Sequence, residues 1–81
     1  MSPRATAGRI REVLARRRSP LEAEVADVPD IRDLPRGVRE RVAEELTREQ
    51  RERGYDPGGR LDHYGEEIQD LLDACDLGRT D

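Results

Sequence analysis

VRERVAEELTREQRERGYDPGGRLDHYGEEIQDLLDAC, residues 38–75, holds two amphipathic segments on either side of a turn, and its reading decides the fold. In the first segment Val38, Val42 and Leu46 recur every four residues with Ala43 beside them. That is a narrow apolar stripe on a helix predicted to run from Pro35 to about Arg53. Its other faces carry opposite charges at helical spacing, such as Arg36 with Glu40 and Glu49 with Arg53, each pair contributing only ~0.2–0.5 kcal/mol. Gly54 is expected to end the helix by taking the left-handed conformation. Asp56-Pro57-Gly58-Gly59 is strong turn chemistry, so the chain reverses there. Asp62 is then a good cap for a last helix in which Tyr64, Ile68, Leu71, Leu72 and Cys75 share one face, with Leu77-Gly78 closing it. A short connection makes two such helices antiparallel neighbours. Val38, Val42 and Leu46 should therefore pack on Ile68, Leu71 and Leu72, with Tyr55, Leu61 and Tyr64 plugging the loop end.

Working outward, the N-terminal third is less sharply patterned. Met1 to about Ala7 reads as a frayed end. Ile10, Val13 and Leu14 stand at the i, i+3, i+4 spacing of a short helix over about 8–18, surrounded by Arg9, Arg11, Arg16, Arg17 and Arg18. A stripe that short is marginal in isolation, since helices under ~12–15 residues need something to lie on. Ser19-Pro20-Leu21-Glu22 is a helix start: Ser19 caps, proline suits the first position and Glu22 falls at the capping-box position. The second helix, about 20–28, carries Leu21, Val25 and Val28 and is stopped by Pro29. Asp30 to Asp33 forms a link, at most one turn, that carries Ile31 and Leu34 inward. No segment alternates with the period of a strand. The fold class is all-α: a small bundle built on an antiparallel helical hairpin, about 35–53 and 62–76, with one or two shorter N-terminal helices. The organisation expected is a basic arm with short helices over 1–33, ordered on a partner, and a hairpin domain over 34–81.

Composition limits what such a bundle can do. Eighty-one residues supply sixteen Val, Ile and Leu side chains and two tyrosines, while charged residues make up 42% of the chain. That core is meagre for independent stability. The single cysteine, Cys75, excludes an internal disulfide, and His63 with Cys75 does not make a zinc site, so a partner protein or a second copy is the expected source of extra stability. An odd cysteine and the lack of an apolar leader point to the cytoplasm. No apolar run reaches the ~20 residues of a membrane span. All fifteen basic residues are arginine. Charge is polarised: residues 1–20 carry six arginines against Glu12, whereas residues 21–33 are net −4 and residues 34–81 net −5.

The candidate chemistry is sparse. Asp56 to Glu67 would place Asp56, Asp62 and Glu67 at positions 1, 7 and 12 of a calcium loop, but position 5 is Arg60 and position 6 is Leu61 where glycine is required. His63 has no second cluster to serve as an acid or base, and Cys75 sits on an apolar stripe where nothing activates a thiol. No phosphate loop, hydrolase triad or metal motif occurs, so neither cofactor nor metal is expected and the chain reads as non-enzymatic. The preferred expectation is a protein-interaction module that captures a partner or itself through Val38, Val42, Leu46, Tyr55, Tyr64, Ile68 and Leu71. The alternative is a bipartite regulator resembling an antitoxin or a small phage or mobile-element factor. In that reading Arg9, Arg11, Arg16, Arg17 and Arg18 contact nucleic acid and the acidic body holds a protein. The plain reading of the same arginines is that they fold back onto the chain's own acids.

Overall fold

The computed structural model describes residues 3–75. Helix α1 spans Pro3–Arg16, α2 Leu21–Ala26, α3 Arg36–Arg53 and α4 His63–Ala74, with one 3-10 turn at Ile31–Asp33. The molecule is all-α, and α3 and α4 form the expected antiparallel pair. Among the described residues the only extended pairing is a single antiparallel bridge between Tyr55 and Leu61 across the turn. The expected closure at Leu77-Gly78, and residue 76 of the predicted helix, lie outside the described residues.

Helix α1 starts earlier than its apolar stripe suggested. Pro3 to Ala7 is helical rather than frayed, consistent with the preference of proline for a first helical turn, and Thr6 and Ala7 are buried. The helix also ends earlier. Ser19 donates its N–H to the Leu14 carbonyl (2.9 Å) and Arg18 donates to Ala15 (3.0 Å), the paired bonds of a Schellman end. Arg18 occupies the left-handed position at φ 54° that glycine usually fills. The Ser19 hydroxyl accepts from Leu21 N–H (3.2 Å) and Pro20 is already in helical geometry, so one serine closes α1 and opens α2. Because its N–H is used by Leu14, there is no call on Glu22 to reach back to it. Pro29 follows the end of α2, and Asp30 caps the 3-10 turn by accepting from Arg32 N–H at 3.0 Å.

Gly54 does end α3, but not for the expected reason. Its φ is −96°, outside the left-handed region. What it supplies is room: a Cβ on Gly54 would lie 2.9 Å from the Gly65 Cα, and a Cβ on Gly65 would lie 2.0 Å from the Gly54 carbonyl oxygen. The two helices thus cross backbone to backbone at these glycines. Gln50, buried, donates from Nε2 to the Gly65 carbonyl (3.1 Å) and to Gln69 Oε1 (3.2 Å), while Asp62 donates its N–H to the Gly54 carbonyl at 2.9 Å. The turn itself hangs on Asp56, whose Oδ1 accepts from Gly58 (2.9 Å) and Arg60 (3.0 Å), with Gly59 at φ +83°. Asp62 caps α4 as expected, accepting from Gly65 N–H at 2.8 Å.

The core is not a property of the hairpin. Of the thirteen buried apolar residues among those described, seven precede residue 33: Ala7, Ile10, Val13, Leu14, Leu21, Val25 and Ile31. They form one cluster with Leu34, Val42, Leu46, Ile68, Leu71 and Cys75. Packing therefore draws no line near residue 33, and α1 and α2 are what cover the stripes of α3 and α4.

Candidate functional site

Two surfaces stand out on the bundle: the charged seam under α1, and the exposed corner at the α3–α4 turn. The seam begins with Arg17, which comes just after α1 and is carried over α3. Its Nε donates to Glu45 (2.9 Å), and its Nη1 donates to Glu49 (2.9 Å) and to Glu52 (2.7 Å). Those glutamates fall on one side of α3 because their spacing of four and three residues is helical. The Glu49 side chain is wholly buried, and its second oxygen accepts from the Tyr64 hydroxyl at 2.5 Å. Burial pushes the Glu49 carboxyl up. Hydrogen bonds from Tyr64 and Arg17, with the charges of Arg53 and Arg17, outweigh that and hold it below its ordinary value. The Tyr64 phenol is pushed up, first by burial and then by its bond to Glu49. Arg16 lays its guanidinium 5.9 Å from the centre of the Tyr64 ring and donates to the hydroxyl at 3.3 Å. Arg9 completes the seam by pairing with Glu12 (2.7 Å) on its own helix and with Glu67 of α4.

Among the five N-terminal arginines expected to contact nucleic acid, then, Arg9, Arg16 and Arg17 are engaged with the chain's own residues. Arg11 and Arg18 stay exposed. The partners of Arg9, Arg16 and Arg17 are Glu12 of α1 itself, Glu45, Glu49 and Glu52 of α3, and Tyr64 and Glu67 of α4. On the expected partner-binding stripe, Val42, Leu46, Ile68 and Leu71 are buried to 1% exposure or less and so offer no open surface. Periodicity shows that a stripe will be covered, not by what, and here the chain's own helices cover it. Val38 and Tyr64 are partly buried and packed on the same core.

Only Tyr55 of the seven remains open. Tyr55 is 47% exposed and Leu61, joined to it by the antiparallel bridge, is 36% exposed; they do not plug the loop end. Leu61 leans back over Gly65, close to where a Cβ on that glycine would stand. Around them lie exposed Arg53, Asp56 and Arg60. The pair is held by backbone bonds, Asp56 N–H to Arg60 carbonyl at 2.8 Å among them, so it is presented on an ordered turn.

His63 is fully exposed, 4.0 Å from Glu66. Cys75 is buried, and that burial pushes its thiol to about 11 against the opposing charge of Arg39. Arg39, which no local pattern singles out, ties the entry of α3 to the end of α4: it donates to the Leu34 carbonyl (3.1 Å) and the Cys75 carbonyl (3.0 Å). Among the described residues no group of three or more His, Cys, Asp or Glu is placed to hold a metal ion, and no helix is long and apolar enough to cross a membrane. No family model, curated protein or solved structure matches this chain.

Proposed function

We propose that this protein is a non-catalytic, cytoplasmic interaction module that binds a partner protein through the α3–α4 turn, with Tyr55 as the anchor and Leu61 beside it. One observation carries the reading: in a chain with so few apolar side chains, Tyr55 and Leu61 are the exposed large hydrophobics among the described residues, and they stand together on an ordered turn. Tyrosine in a rigid setting is a favoured interface anchor, since it brings area at low entropic cost and a hydroxyl for the rim. Arg53, Arg60 and Asp56 supply the polar surround. The non-catalytic part of the reading is supported by the buried, high-pKa Cys75 and the isolated, solvent-facing His63.

Site-directed photocrosslinking in living cells tests it. A benzophenone side chain at position 55 is expected to give a discrete adduct that disappears in the Leu61→Ser background, while the same probe at Arg48, on the outer face of α3, gives none. A band at twice the 9.2 kDa of the chain identifies the partner as a second copy. Equal patterns from positions 55 and 48, or no adduct from either, would remove the proposal.

A further inference from the structure

The arginines of α1 sort into two rows on either side of its apolar stripe. Arg9 and Arg16, seven residues apart, face α4 and meet Glu67 and Tyr64. Arg4 and Arg11, also seven apart, lie on the α2 side, exposed, and among the described residues no ion pair joins either to an acid. They rim a groove of about 370 Å³ between α1 and the end of α2, floored by Ala7, Gly8 and Val28 with Asp27 at its edge. The floor is open above Gly8, where an added Cβ would meet nothing within 4 Å.

We propose that this groove seats an acidic amphipathic helix of a partner protein. It rests on the reading of the chain as an interaction module but uses a different surface from the Tyr55 corner. At 1.5 Å rise per residue, Arg4 and Arg11 stand about 10.5 Å apart along α1. A helix lying along α1 has the same rise, so two carboxylates seven residues apart come opposite the two guanidinium groups, and an aliphatic side chain between them enters over Gly8. The groove is large enough for such side chains and too small for the helix itself, which is the usual division in helix-in-groove recognition. A polyanion such as duplex DNA fits less well. Two arginines with no aromatic neighbour give neither base stacking nor a long phosphate track.

The probes are a fluorescein-labelled synthetic helical peptide with two glutamates seven apart flanking a leucine, the same peptide with glutamine at both places, and a labelled DNA duplex. Titrated with the full chain, the glutamate peptide is expected to bind, and to weaken about tenfold or more in the double variant Arg4→Glu, Arg11→Glu and on raising salt. A peptide with lysines for the glutamates is expected to bind that double variant in its place. Gly8→Phe, which fills the groove without changing charge, should also abolish binding, with circular dichroism showing both variants folded. Absence of peptide binding, equal binding of the glutamine peptide, or preferential binding of the duplex through the same arginines would overturn the assignment. The two proposals fail separately: Tyr55→Ala leaves the peptide titration unchanged, and the charge reversal leaves crosslinking at position 55 unchanged.

Discussion

The two seams of this bundle are built on opposite terms. At the turn end of the α3–α4 contact the packing is steric and uncharged: Gly54 and Gly65 bring the backbones together, and Gln50 and the Asp62 N–H satisfy the carbonyls there. Between α1 and the hairpin the apolar faces are sealed by ions, with Arg17 gathering Glu45, Glu49 and Glu52 and Arg9 reaching Glu67. The difference teaches where the molecule should respond to its surroundings. Close packing is indifferent to salt and pH, whereas an ion-pair seam around a buried carboxylate is sensitive to both.

Breaking the steric seam should have the largest effect. Gly65→Ala places a methyl group 2.0 Å from a backbone oxygen that cannot rotate away, so the helices must separate. The expected loss is about 3 kcal/mol or more, the upper end for overpacking, read as a lowered urea midpoint and as native-state labelling of the otherwise buried Cys75. Wild-type stability in Gly65→Ala would mean that the glycine contact is incidental. The ionic seam comes next. Arg17→Met leaves Glu49 buried with Tyr64 and the more distant Arg53 for support, which should cost about 2–4 kcal/mol at neutral pH, a little under the usual range for a fully buried pair because Arg17 is 18% exposed. Glu49 should then take up a proton above its ordinary pKa of about 4.3, visible by NMR titration.

Acid sharpens the same contrast. Because folding holds the Glu49 carboxyl below its ordinary value, its stabilisation is complete above about pH 4.3 and is lost as pH falls through the folded value below that. Glu49→Gln removes the charge in advance. At pH 7 it should destabilise by about 1–3 kcal/mol, since Arg17 and Tyr64 lose their charged acceptor. The gap between wild type and variant, measured by urea midpoints from pH 7 to pH 3, should narrow as the wild-type carboxyl protonates. A constant gap would show that Glu49 is held by shape and not by charge.

How much of this was legible in the sequence follows from the range of each interaction. Ser19-Pro20, Pro29, Asp-Pro-Gly-Gly and Asp62 act on their neighbours, and each of those boundaries was readable to within a residue or two. Gly65 was not, because a glycine inside an amphipathic pattern shows only weak helix propensity until the opposite backbone is known. Arg17 and Glu49 are 32 residues apart, and no local pattern announces such a pair among so many charges. The burial of four candidate anchors within the chain has a related reason. Val42, Leu46, Ile68 and Leu71 sit where a helical stripe must be covered, and a partner and the chain's own α1 leave the same periodicity. Tyr55 stands apart because a bridge across the turn, rather than a helix, sets its direction.

The smallest expected effect concerns the joint between α1 and α2, where the ionic seam is aimed. Arg18 holds φ at 54° without making an ion pair among the described residues, and the Schellman bonds around it do not involve its side chain. An L-residue in this conformation carries a cost of about 1 kcal/mol that glycine avoids, while glycine loses more entropy on folding. Arg18→Gly should therefore stabilise by about 0.5 kcal/mol, a rise of a few degrees in Tm for a chain of this size. The joint sets the direction in which Arg17, one residue earlier, leaves α1. If Arg18→Gly lowers stability instead, and does so only while Glu49 is charged, the left-handed arginine is part of how Arg17 is aimed at the ionic seam.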